Sequence, residues 1–177
     1  MPHVGPNPCA GGGGPYWCGF FVQAPWRTYV NYNYPRLIEK YYSQMKEWFK
    51  YVDKYTVDCL LKRWPDTKYR DWYLGDWLAP MGVDAGNQAS VDLVSNCFIS
   101  ECLSTMYKTA ITLGKREEAE EFAIRREKLN KLIHQTFYRA DEGIYSTGSQ
   151  LDMCYPMLVG VVPDSLYNKV KENVVAM

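Results

Sequence analysis

Ser90–Gly114 reads SVDLVSNCFISECLSTMYKTAITLG, and Arg116–Tyr138 follows it as REEAEEFAIRREKLNKLIHQTFY. In the first segment Val91, Val94, Phe98, Cys102, Met106, Ala110 and Leu113 recur at three- and four-residue steps, the spacing of a helical stripe. Few charges interrupt the rest of its surface. Ser90 is suited to cap this helix and Gly114 to end it. The second segment is crowded with charge but keeps Ala119, Phe122, Ala123, Leu129, Ile133 and Phe137 on one side. A helix apolar around most of its circumference, joined by a short link to one with a single apolar face, predicts a hairpin with a buried and a half-exposed member.

The same pairing recurs on both sides. Upstream, Trp17 to about Tyr32 carries only one charge, Arg27, and reads as a buried helix kinked at Pro25. Asn33-Tyr34-Pro35 restarts the chain, Pro35 being suited to a first helical position. Ile38, Tyr41, Tyr42, Met45, Trp48, Phe49, Val52 and Tyr55 then mark the one apolar face of a second helix. Downstream, a loop from Arg139 to Gly148 leads to the apolar stretch Gln150–Gly160, bent at Pro156. Asp164 is placed to cap a last helix carrying Leu166, Val170 and Val174.

Two alternations therefore run in register. Helices one, three and five are apolar nearly all round, and two, four and six are charged on one face. Links are short after the odd helices and long after the even ones. This describes two concentric layers, an all-α toroid represented by about six helices in three α-hairpins. It also predicts that the long loops 1–16, 57–89 and 139–148 gather at one end, where the inner helices begin. A right-angled helical solenoid is the structural rival, but it requires a fixed period and uniformly short loops, and the sequence has neither.

Net charge is zero with 23% charged residues, which implies no polyanion partner, so no nucleic acid. No run reaches membrane-spanning length. Met1-Pro2-His3-Val4-Gly5-Pro6 lacks the basic and apolar regions of a signal peptide, and the compartment stays open. Six cysteines at 9, 18, 59, 97, 102 and 154 form no C-x-x-C pair and mostly sit in apolar surroundings. They read as small buried hydrophobes rather than disulfides, and with only two histidines a Cys/His zinc site finds little support. Gly11-Gly12-Gly13-Gly14 is not followed by Lys-Ser/Thr, so a phosphate loop is unsupported.

Aromatic residues reach 15%, with 15 Tyr and 6 Trp. They concentrate in Tyr69-Arg70-Asp71-Trp72-Tyr73-Leu74-Gly75-Asp76-Trp77-Leu78-Ala79-Pro80, inside the long loop. Long irregular loops in compact domains are usually functional or disordered, and disordered segments are poor in aromatics. Tryptophan beside carboxylate suits a sugar: the ring covers the apolar C–H face while the carboxylate accepts from hydroxyls. The competing reading is a Trp-rich plug on the core.

At Trp17…Ala24-Pro25-Trp26-Arg27-Thr28-Tyr29, Gly75-Asp76-Trp77-Leu78 and Thr147-Gly148-Ser149-Gln150, the sequence resembles bacterial α-L-rhamnosidases, glycoside hydrolase family 78. The likeness runs through Leu158-Val159-Gly160-Val161-Val162-Pro163. It implies an (α/α)6 catalytic domain that cleaves terminal α-L-rhamnose with inversion, with no cofactor and no metal in the chemistry. Inversion needs a carboxylic acid and a carboxylate flanking the scissile bond. By the resemblance both lie outside residues 1–177, so no catalytic residue is expected here, and the chain looks like the middle of a larger catalytic domain whose remainder is its partner.

The resemblance places Trp17, Trp26, Asp76 and Trp77 at or near a carbohydrate pocket. Trp17 and Trp26 are equally compatible with core packing, and Asp76 with capping a turn. Gln150 stands where it could reach a hydroxyl or satisfy backbone. Family members commonly carry Asp two residues after the tryptophan matched by Trp17, where this chain has Gly19. That departure opens the choice of sugar. A different toroid glycosidase using Asp71 or Asp76, or a non-catalytic helical interaction module, are the alternatives.

Overall fold

The computed structural model describes residues 14–62 and 88–176. In chain order the elements are α1 (Pro15–Cys18), α2 (Phe20–Tyr32), α3 (Arg36–Asp53), β1 (Thr56–Val57), β2 (Leu60–Leu61), α4 (Gln88–Thr112), α5 (Arg116–Phe137), β3 (Tyr138–Arg139), β4 (Ile144–Tyr145), α6 (Gln150–Leu158) and α7 (Asp164–Val175). The two strand pairs are antiparallel, Thr56 opposite Leu61 and Tyr138 opposite Tyr145.

Side-chain bonds fix the layers. Gln23 on α2 reaches Cys102 and Thr105 on α4, while α4 reaches α6 through Ser90–Asp152 and Glu101–Tyr155. These three helices form one layer. In the other, Tyr42 and Lys46 of α3 both reach Glu118 on α5, and Asp53 pairs with Arg125. Between α4 and α6, and between α3 and α5, the partner's number rises as the residue's own number rises, so each of these pairs runs parallel. α2 turns back into α3 through the short link at Asn33, as α4 turns back into α5 through Gly114, which sets α2 parallel to α4 as well. α7 packs on α6. The link ahead of it is tied to α5, Asn130 donating to the carbonyls of Val159 and Gly160, and Asn173 in its last turn donates to the Gly143 carbonyl at 2.9 Å. The chain is thus all-α, three hairpins of an (α/α)6 toroid.

The core lies between the layers. Ile38, Met45, Leu93, Leu103, Met106, Ile133, Met153 and Val170 have no exposed surface. α4 is central to it: Asn96 bonds outward to Leu61 of β2 and Ser100 to Asn130 of α5, while its remaining faces pack on α1, α2 and α6. Gly114, at φ +73, turns the chain from α4 into α5 in a conformation that a β-carbon would strain.

The structure revises several expectations. The first inner helix is not continuous: α1 ends at Cys18, and α2 starts at Phe20 after Gly19. Nor is it buried all round, since Phe20, Val30 and Tyr32 are exposed on α2. α4 starts at Gln88, so Ser90 lies inside it and spends its hydroxyl on Asp152 rather than on a cap. Asp164 is the first residue of α7, and the capping position belongs to Pro163, which has no side-chain bond to give. Pro25 and Pro156 lie within helices, where the sequence reading put them.

Among the described residues, Cys18, Cys97 and Cys102 are buried, Cys59 is half-buried and Cys154 exposed, all as free thiols. Burial raises the Cys18 thiol to about 11, and Cys97 and Cys102 are also pushed up by burial. All three therefore stay protonated and behave as core atoms.

Candidate functional site

The inner helices begin at the end where α3 and α5 finish, and the two strand hairpins lie there. Tyr145 of β4 donates its N–H to Met153 of α6, and Leu61 of β2 exchanges bonds with Asn96 of α4 at 2.8 and 3.1 Å. The rim of this end is held by Asp152. Its carboxylate has no exposure and accepts from Ser90 Oγ at 2.7 Å, Thr147 Oγ1 at 2.5 Å and Thr147 N–H at 3.1 Å. Ser149 caps α6 by accepting from the Asp152 N–H at 3.3 Å. One buried carboxylate thus ties the Thr147–Ser149 turn to the first turns of α4 and α6. Such a carboxylate is tolerable only because three donors replace its water.

Below the rim, aromatic side chains close the wall between α1, α4 and α6. Tyr16 lies with its ring centroid 4.8 Å from Phe98 and 6.5 Å from Tyr155, the latter edge to face. The Tyr155 hydroxyl donates to Glu101 Oε2 at 2.8 Å, and Glu101 Oε1 is 3.5 Å from Arg27 of α2. Burial, then the Glu101 charge, push the Tyr155 phenol well above its ordinary range, so it stays protonated and keeps its proton for Glu101. All three inner helices meet at this point.

Gly19 is sealed by the same aromatic group. A β-carbon there would stand 2.4 Å from Phe98 Cε1, 2.8 Å from the Pro15 carbonyl and 3.0 Å from Trp48 Cζ2. The aspartate common at this place in the resembling sequences cannot be accommodated without displacing Phe98.

Of the four residues the sequence singled out, only Trp26 is placed with its side chain. It is half-buried on α2, its ring 5.5 Å from that of Tyr29 one turn along. Trp17 belongs to α1, but its side chain lies outside the described residues, as do Asp76 and Trp77 with the whole of 63–87. Gln150 is exposed at the start of α6.

Residues 1–177 match the family described as the bacterial α-L-rhamnosidase six-hairpin glycosidase domain. The chain belongs to this family. An α-L-rhamnosidase of Alteromonas sp. (strain LOR) is 23% identical over 160 residues, which are 86% of this chain and 16% of that protein. Two solved structures share the fold. The α-L-rhamnosidase of Streptomyces avermitilis complexed with L-rhamnose gives a TM-score of 0.77 at 17% identity, covering 94% of this chain and 15% of that one. The α-L-rhamnosidase of Dictyoglumus thermophilum gives 0.80 at 22% identity, covering 93% and 18%. This chain therefore spans about one sixth of the relative's length.

Sequence reasoning passed over Tyr16, Glu101, Tyr155 and Asp152. A weak signal was present: Asp152 is the lone acid of α6, and Glu101 is one of two in the largely apolar α4. What pairs them, Tyr155 in one case and Ser90 in the other, lies far away in sequence and leaves no periodic trace.

Proposed function

We propose that this chain is part of a glycoside hydrolase of the α-L-rhamnosidase type and supplies the sugar-binding wall of its pocket. The observation that carries this reading is the family match along the whole chain. The inner helices support it, because α4 begins at Gln88, at the same end as the β1–β2 pair that closes at Leu61. In this reading Trp77 and Trp17 stack on the sugar, Trp26 backs the wall and Asp76 accepts from a hydroxyl. The flanking parts of the domain, outside residues 1–177, supply the acid and the base. The family match makes a rhamnoside the first substrate class, and closure of Gly19 by Phe98, which removes one polar contact, extends it to related sugars.

Two measurements test it. L-Rhamnose titrated into the chain should change its tryptophan fluorescence, and Trp77→Ala should remove the response. The chain alone should release no aryl alcohol from an aryl α-L-rhamnoside, because inverting hydrolysis needs two carboxyl groups on opposite faces of the sugar. Turnover abolished by Asp71→Ala or Asp76→Ala would instead place the chemistry within these residues.

A further inference from the structure

We propose that Glu101 is a sugar-hydroxyl acceptor on the inner wall, positioned by Tyr155 and Arg27, below a stacking surface formed by Tyr16. The proposal rests on the carbohydrate reading above and adds to it a contact that sequence did not indicate.

The placement comes from helix geometry. Ser100 bonds outward to Asn130 on α5, and the next residue stands about 100° further round α4. Glu101 therefore leaves the interface between the layers and meets α6 on one side and α2 on the other, through Tyr155 and Arg27. A carboxylate offers about four acceptor sites. Among the described residues Glu101 uses one for the Tyr155 hydroxyl, and its approach to Arg27 at 3.5 Å is an ion pair rather than a tight bond. Its side chain keeps 27% exposure and that of Arg27 keeps 66%, so both present polar atoms on the inner side of the wall.

A carboxylate beside a guanidinium suits a pair of neighbouring hydroxyls, one donating to the acid and one accepting from the arginine. A neutral sugar fits this better than an anion, since the acid would repel the latter. The apolar side of such a ligand also has a partner. Tyr16 remains 45% exposed while its ring rests on Phe98 and on Tyr155, whose own hydroxyl holds Glu101. Aromatic face, carboxylate and guanidinium thus form one continuous strip, assembled from α1, α2, α4 and α6. A purely structural ion pair would gain little at such exposure.

The test is L-rhamnose titration of the 177-residue chain, followed by tryptophan fluorescence, with circular dichroism and Tm as controls. Glu101→Gln should weaken affinity about tenfold, as expected for losing a hydrogen bond to a charged acceptor. Tyr155→Phe keeps the ring packed on Tyr16 and removes only the hydroxyl. It should weaken affinity severalfold at unchanged Tm, a split that a merely structural tyrosine would not give. Should Glu101→Gln fail to fold, Tyr155→Phe and Arg27→Gln carry the test. Unaltered affinity in the folded variants, with the unaltered chain responding to rhamnose, overturns this site alone. No response in the unaltered chain overturns the carbohydrate reading and this site with it.

Discussion

α4 and α2 read alike in sequence, yet the structure treats them differently. Both are inner helices rich in apolar residues. In α4, Leu93, Cys97, Cys102, Leu103, Met106 and Ala110 are wholly buried. In α2, Phe20, Val30 and Tyr32 keep 57, 58 and 78% of their surface. α6, on the far flank, repeats the pattern with Leu158 at 78%. The difference is the number of neighbours. α4 has α2 and α6 beside it and α5 behind it, whereas each flanking helix has one inner neighbour. Apolar sequence records a capacity for burial, and only adjacent hairpins realise it.

The largest expected effect tests the sealed member. Met106→Ala should cost about 2–5 kcal/mol in chemical denaturation, because the surrounding helices cannot collapse into the space. Leu158→Ala should stay within about 0.5 kcal/mol. A comparable loss for Leu158→Ala would break the contrast by showing that the flank is covered in solution. Exposed apolar flanks favour association, so the same experiment should be run at several protein concentrations.

The next two effects probe the joints. Asp152→Asn should cost about 1.5–3 kcal/mol, since the charged acceptor shared by Ser90 and Thr147 is lost. Gly19→Ala should cost about 1–3 kcal/mol by overpacking against Phe98, and Phe98→Leu in the same chain should recover part of it. Additive losses would show that α2 and α4 are less tightly joined at this point than the distances indicate.

The smallest effect is a pH slope. His134 Nδ1 lies 2.7 Å from the Tyr145 hydroxyl, its ring stacked on Tyr138, and burial holds its pKa below the ordinary value. The unfolded chain therefore takes up the proton first. Stability from this residue is full above about pH 6.5 and falls as pH drops through that value toward the folded pKa. Denaturation midpoints at pH 7 and 5.5 should differ less in His134→Gln than in the unaltered chain.

Much of the architecture was legible because it is local. The stripes of Ile38–Val52 and Ala119–Phe137 and the alternation of short and long links give helices, hairpins and layers without any long-range information. Gly19 was harder. Nothing in Trp17–Tyr32 marks a break except a glycine, and the reason for it, the ring of Phe98, comes from another helix. Ser90 and Asp164 were misread for a related reason. Both residue types favour caps, but Ser90 is engaged by Asp152, and Pro163 already occupies the turn before α7. The two-residue strand pairs are too short to leave a period-two pattern. Resemblance pointed to Trp26, whose ring the structure places half-buried beside Tyr29, whereas the Glu101–Tyr155 pair required knowing which helices flank α4.

The three links at the back of the layers have a common form. Each contains a single residue of left-handed backbone: Asn33 at φ 49, Gly114 at φ 73 and Gly160 at φ 71. Such corners are intolerant of length change. Deleting one residue between α4 and α5 would rotate α5 by about 100° and carry Ala119, Leu129 and Ile133 off the core. The return between α5 and α6 at the other end is longer: its left-handed residues Gly143, Ser146 and Gly148 are spread over a strand pair and two further turns, which can absorb a change of length. Insertions and deletions should therefore accumulate on the rim and be purged from the back, leaving the rim free to diversify while the helical frame keeps its register.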